Sequence, residues 1–138
     1  MGDEAKIEVL TPYARSLGIE VSHWDDDGPV LRVPFGEQLE GRPGALHGGA
    51  ISGLLETAGY AMLRARLAED GGPTKLKPIN VTVQFLRAGK TDTSFARGRI
   101  VKLGRRTANI SVEAWQDDPD KVIASAVMNV MMVREDAA

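Results

Sequence analysis

Gly44-Ala45-Leu46-His47-Gly48-Gly49 runs directly into residues 50–69, and the rest of the chain is read outward from this passage. Within 50–69, Ile51, Leu54, Leu55, Ala58 and Met62 recur at the 3.6-residue period of a helix with one apolar face. Gly71-Gly72-Pro73 closes that helix. Gly53 and Gly59 lie inside it, and each costs about 1 kcal/mol relative to alanine. Their presence predicts that something approaches the helix closely on those sides.

Beyond the helix the period changes to two. Ile79, Val81, Val83 and Phe85 alternate with Asn80, Thr82 and Gln84, which predicts a strand over 79–85. Further strands are predicted over 93–103, 106–115 and 122–133. The last is apolar on parts of both faces, which suits a central or doubly covered strand. Residues 134–138 are expected to fray. Upstream, Thr11-Pro12 reads as a helix start and Gly18 as its left-handed stop. Ile19, Val21 and His23, then residues 30–33, form a hairpin about Asp25-Asp26-Asp27-Gly28, and 34–44 reads as a loop. The predicted order is two short strands, one long helix and a four-stranded meander, an α+β class with an antiparallel sheet. One helix cannot cover six strands on both faces, so the remaining apolar surface predicts a homo-oligomer.

Composition narrows the classes of function. The 138 residues suit one domain spanning 1–138, with 43% hydrophobic and 26% charged residues. Lys plus Arg is 17 against 19 for Asp plus Glu, a net charge of −2, so the global basic field of a nucleic-acid binder is missing. The chain has no cysteine and only His23 and His47 as histidines, so no thiol nucleophile, disulfide or metal site is expected. Met1-Gly2-Asp3-Glu4-Ala5-Lys6 leads into no apolar stretch, and 122–133 is too short to span a bilayer. A soluble cytoplasmic protein with no membrane partner is the expectation.

The chemistry concentrates at the helix start. A glycine pair lets the backbone turn sharply and lets a ligand reach the main chain. The first N–H groups of a helix are unpaired and carry the positive end of its dipole, a place to stabilise an oxyanion. Glu56 is about 140° round the helix from Ile51, off the core stripe, on a flank with Ser52, Gly53, Gly59, Tyr60 and Leu63. That flank is poorly charged and is expected to shield the carboxylate partly from water. A carboxylate and a helix-terminal oxyanion site suffice for acyl-transfer hydrolysis without Ser, Cys or metal. Each feature also has a plainer reading: a mid-helix Glu is usually a surface residue, a glycine pair usually a turn, and a lone histidine usually a loop hydrogen-bonder.

Leu46-His47-Gly48-Gly49-Ala50, with the acid Glu56 nine positions after the histidine, resembles the hotdog-fold acyl-CoA thioesterases. It is most similar to the phenylacetic-acid-degradation type and its 4-hydroxybenzoyl-CoA thioesterase relatives. Val83-Gln84-Phe85-Leu86-Arg87, Val101-Lys102-Leu103-Gly104-Arg105-Arg106 and Ala124-Ser125-Ala126-Val127 extend the resemblance over residues 12–133. It implies a hotdog fold, an antiparallel sheet wrapped around one long central helix, in a dimer or dimer of dimers with sites at the subunit interface, where Gly53 and Gly59 would let the partner or an acyl chain approach the helix. Glu56 is implied as general base on water, or as nucleophile through a mixed anhydride. Gly48 is implied as the amide that polarises the thioester carbonyl, His47 as a loop-shaping hydrogen-bonder, and Gly49 as the residue that permits the turn. Gly104, Arg105, Arg106 and Arg87 are implied as the coenzyme A rim, where guanidinium groups suit phosphate. Their plainer reading is a solvated hairpin tip. The substrate is acyl-CoA, and coenzyme A is part of it, so no separate cofactor is implied.

Two positions depart from the family's pattern. Gly41 stands where relatives often carry Asn or Gln to hold water, and Pro78 where some supply a Ser or Thr from the partner subunit, with Thr74 as a neighbour that could substitute. A hotdog hydratase or dehydratase, and a non-catalytic acyl-CoA-binding module, are the alternative activities; the placing of His47 directly before Gly48-Gly49 argues for hydrolysis.

Overall fold

The computed structural model describes residues 10–72 and 75–133. In chain order these form α1 (Pro12–Ser16), β1 (Glu20–Trp24), β2 (Pro29–Val33), a 3-10 turn (Glu37–Leu39), α2 (Gly48–Asp70), β3 (Lys75–Phe85), β4 (Ser94–Leu103), β5 (Thr107–Trp115) and β6 (Ala124–Val133). The fold is α+β: the long central helix α2 packs on one antiparallel six-stranded sheet, the hotdog arrangement. Pro73, Thr74 and residues 134–138 lie outside the described residues. At α1 the Thr11 hydroxyl accepts the Ala14 N–H at 3.2 Å, and Gly18 follows with φ +87°, as Thr11-Pro12 and Gly18 predicted.

The sheet order is β1-β2-β4-β5-β6-β3, which corrects the four-stranded meander. Of β3 to β6, only β4, β5 and β6 follow one another side by side. β3 crosses to the far side of β6 and pairs with it from Lys75↔Val133 to Phe85↔Ala124. The physical reason lies in the two strands. β6 is apolar on both faces, with Ala124, Ala126, Met128, Val130 and Met132 buried on one and Val127, Met131 and Val133 lying on the other, which suits a central strand paired along both edges. β3 carries Lys75, Lys77 and Pro78, which suit an edge. Pro78 also explains why β3 starts at Lys75 rather than at 79. On an edge strand its missing N–H breaks no ladder, and the strand absorbs the proline through a register irregularity between Pro78 and Asn80.

The predicted stripe of α2 is the core: Ile51, Leu54, Leu55, Ala58 and Met62 are all buried, against Leu31, Ala96, Ile110, Val112, Met128 and Val130. The two helix glycines serve this packing, not a partner or an acyl chain. A β-carbon on Gly59 would press on the Met128 sulfur and lie 3.2 Å from Val112, and one on Gly98 of β4 would lie 3.0 Å from Gly59 Cα. Gly53 faces Leu17, which follows α1, at 3.1 Å. The expectation that both make room for a second molecule is therefore corrected.

α2 lies over the middle of the sheet and leaves β3 largely open. Leu76, Val81 and Val83 are only half-buried, while Ile79 is 48% and Phe85 57% exposed. On the face away from α2, Asn109 donates to Asn129 and Asn129 to Asn80, each at 2.8 Å, tying β5, β6 and β3 together.

Gly59→Val should destabilise the fold by about 1–3 kcal/mol through overpacking against Val112 and Met128. Urea unfolding checks this; an unchanged midpoint would show that α2 does not press on the sheet there.

Candidate active site

α2 starts at Gly48, two residues before the predicted start at 50, because His47 caps it. His47 is extended (φ −67°, ψ 137°), and its Nδ1 accepts the Gly49 N–H at 2.8 Å. Its carbonyl accepts the N–H groups of Ala50 at 3.0 Å and Ile51 at 3.1 Å. Three of the first four helix amides thus end on His47. The remaining one, the Gly48 N–H, has no acceptor among the described residues, and it sits at the positive end of the helix dipole. Because Nδ1 accepts, the proton of the neutral ring is on Nε2, which is left free to donate.

The preceding loop fixes this cap. The His47 N–H donates to the Leu39 carbonyl at 2.7 Å, the Leu46 N–H to Gly89 at 3.0 Å, and the Glu40 carboxylate accepts the Gly44 N–H at 2.8 Å. Gly41 lies against His47: a β-carbon there would stand 3.0 Å from His47 Cα and 3.4 Å from its ring. A larger side chain at 41 would crowd the capping residue, which gives a physical reason for glycine at this position.

Glu56 is half-buried, and its carboxylate makes no hydrogen bond or ion pair among the described residues. It lies about 60° round the helix from Gly59, on the side away from Met62. Gly59 meets β5 and β6, and Met62 meets Gly98 of β4. The Glu56 flank therefore turns toward β3, the strand that α2 leaves open. Tyr60 shares that flank one turn later, half-buried, with the Arg64 guanidinium 5.5 Å above its ring. Burial, and then the negative charge of Glu56, hold the Tyr60 hydroxyl above its usual range, partly offset by Arg64; it stays a protonated donor.

Sequence reasoning missed the role of Phe85. A β-carbon on Gly48 would lie 3.3 Å from its ring, so the aromatic forms a wall beside the free amide. Its one sequence signal is its place as the last apolar residue of the alternating run. Arg87 follows on the same end of the sheet, exposed, its N–H bonded to Ile123 at 3.0 Å. Gly104, Arg105 and Arg106 form the exposed β4–β5 turn, with the Gly104 N–H on the Thr107 carbonyl at 2.9 Å and the Arg106 carbonyl accepting the Met132 N–H at 2.7 Å. That turn lies by the start of β3, whereas Gly48 lies by its end, about 30 Å away at the rise of a strand. One subunit therefore brings His47, Gly48, Gly49, Glu56 and Phe85 onto α2 and its β3 side, and leaves the Gly104–Arg106 turn at the opposite end.

A cleft of about 1030 Å³ lies elsewhere. It opens where β2 leaves β4 after pairing only from Leu31↔Ala96 to Val33↔Ser94, and Trp24, Met62, Arg97 and Trp115 are among its walls. Arg97 is held there by Asp25 at 2.6 Å and Asp27 at 3.6 Å. His47, Gly48 and Glu56 are not part of it. Among the described residues, no group of three or more His, Cys, Asp or Glu stands together, and no helix is long and apolar enough to cross a membrane.

The sequence signature of the thioesterase superfamily matches residues 43–123, which include the His47 cap, Glu56 and Gly104–Arg106. A candidate esterase of Halobacterium salinarum is 30% identical over 109 residues, covering 75% of this chain and 71% of its own. Another, of Saccharolobus solfataricus, is 27% identical and covers 86% of this chain and 76% of its own. Among solved structures, a candidate thioesterase related to phenylacetic acid degradation from Ralstonia eutropha JMP134 superposes with a TM-score of 0.78 at 23% identity, covering 94% of this chain and 96% of that one. A candidate esterase of Mycobacterium tuberculosis reaches 0.79 at 21% identity, covering 91% and 99%. At these identities the structural likeness speaks to the fold.

His47→Ala should cost about 1 kcal/mol of stability through loss of the cap, and His47→Asn, a strong capping residue, should recover most of it. Urea denaturation of both checks this; equal losses would mean the Gly49 bond carries no weight.

Proposed function

We propose that this chain, which belongs to the thioesterase superfamily, hydrolyses the thioester of an aryl- or medium-chain acyl-CoA to the free acid and coenzyme A. Family membership supports hydrolase chemistry at the level of a thioester or ester. The observation that carries the finer reading is the pairing of an unbonded amide, Gly48 N–H, with an unbonded carboxylate, Glu56, on one helix.

In this reading the thioester oxygen takes the Gly48 N–H and leans on the positive end of α2, where negative charge develops as the carbonyl is attacked. Glu56 acts as base: it takes a proton from water, the water oxygen bonds to the acyl carbon, the C–S bond breaks, and the proton passes to the leaving sulfur. The alternative route for the same residue is direct attack, giving a mixed anhydride that water opens. His47 Nε2–H donates to the carbonyl or the water, and Gly49 permits the tight entry to the helix.

About 12 Å of helix rise separates Gly48 from Glu56, a gap that the glutamate narrows by leaning toward the helix N-terminus. A second copy completes the cleft. β3 is a long, half-apolar edge, and two identical edges related by a twofold axis pair antiparallel. That pairing sets the start of one β3 beside the end of the other. The partner's Gly104–Arg106 turn is then carried toward this subunit's Gly48, with Arg87 alongside, to meet the coenzyme A phosphates. The same edge-to-edge join extends the sheet and covers the Glu56 flank.

Glu56→Gln should lower thiol release from the best substrate of an acyl-CoA panel by about 100-fold or more. Retention of the wild-type rate would reject the role, and saturable binding without turnover in the wild type would favour the acyl-CoA-binding alternative. Arg105→Ala with Arg106→Ala should raise KM for acyl-CoA about tenfold while leaving KM for the matching pantetheine thioester unchanged. Equal effects on the two would argue against phosphate contacts.

A further inference from the structure

The Tyr60 hydroxyl is the single buried side-chain polar atom without a hydrogen-bond partner among the described residues. Folded chains rarely keep such a group unpaired, since the water it gave up is not replaced. Its position on α2 suggests the partner. Tyr60 is one turn after Glu56, and helix side chains lean toward the N-terminus, so the phenol hangs over the turn that carries Glu56. Arg64, one turn further on, places its guanidinium over the Tyr60 ring, 5.5 Å from its centroid. An unbonded donor and an unbonded carboxylate therefore occupy successive turns of the flank that faces β3.

We propose that Tyr60 is the positioning residue for Glu56: when acyl-CoA fills the cleft, the phenol O–H donates to the Glu56 carboxylate, fixing its rotamer and holding it ionised toward the thioester. This rests on the thioesterase reading above. Hydrogen bonds of this kind are often long in an empty site and tighten with substrate. The surroundings leave the phenol few other acceptors. The charges acting on it are Glu56 and Arg64, both on α2. β6 carries no titratable side chain, β3 carries Lys75 and Lys77, both exposed, and α1 offers Tyr13 beside Gly53 and Arg15. Because Tyr60 resists ionisation, it remains a donor across the working pH range and does not become a competing anion.

The test compares wild type, Tyr60→Phe and Glu56→Gln on one good acyl-CoA substrate, with kcat and KM measured across pH and the unfolding temperature of each. Tyr60→Phe keeps the ring and removes only the donor. It should lower kcat about tenfold with KM within about twofold. The acidic limb of kcat, which reports the substrate complex, should move up by about one pH unit, because the carboxylate has lost a bond that favoured its charged form. An unchanged limb and kcat, with a higher unfolding temperature, would overturn the proposal and make the hydroxyl a packing liability. A rise in KM alone, with the limb unmoved, would also overturn it, by placing the hydroxyl on the acyl group. If Glu56→Gln is inactive and Tyr60→Phe is unaltered, only this inference falls. If Glu56→Gln is fully active, or the wild type releases no thiol from any acyl-CoA, the thioesterase reading falls with it.

Discussion

A single helix is about 10–12 Å across, while six strands spaced about 4.8 Å apart make a sheet more than twice as wide. That mismatch governs the molecule. α2 spends its apolar stripe on β4, β5 and β6, where Gly59 and Gly98 let it sit close. α1 and the segment through Leu39 cover the helix on another side, so the shortfall falls on β3. The uncovered strand has half-buried Val81 and Val83 on its inner side and an open ladder along its edge. The flank of α2 that carries Glu56 and Tyr60 faces this gap. A carboxylate in a gap that a second copy can close has the partial shielding that a general base needs, without the cost of full burial in its own subunit.

The second constraint is local. A helix start has more amide donors than acceptors, and here one histidine takes three of them through its ring and its carbonyl. An N-cap side chain satisfies only one of the orphan amides. This cap leaves the Gly48 amide unbonded and fixes which nitrogen of His47 carries the proton. The glycine at 41 belongs to the same device, because the approach of His47 leaves little space for a side chain there.

Short-range periodicity in the chain already contained α2, the hairpin and most strand bounds, and the histidine-glycine-glycine string marked the start of the helix. What escaped it was non-local or depended on a side chain's orientation. The crossing of β3 to β6 leaves no trace in either strand's own alternation and shows only in their pairing. The first residues of β3 lie before a register irregularity at Pro78, so Leu76 falls out of phase with the alternation that marks 79–85. Gly59 read as room for a second molecule, since a sequence does not say that Met128 and Val112 occupy that room. Phe85 looked like one more core residue until its ring was found against Gly48, and the orphaned Tyr60 hydroxyl needs coordinates to be seen at all. The Arg105–Arg106 turn was placed correctly on a hairpin, yet only the register shows how far it lies from Gly48 in its own subunit.

The central claim is that Glu56 of one copy works with the Gly104–Arg106 turn of another. Subunit mixing tests it most directly. An inactive Glu56→Gln chain and an Arg105→Ala/Arg106→Ala chain are unfolded together, refolded, and assayed with acyl-CoA well below KM. In a twofold dimer, random pairing gives half mixed dimers, each with one intact shared site, so activity should recover to about a quarter of wild type. Activity no greater than the sum of the two parent variants would mean that each subunit carries its own complete site, and would contradict the account.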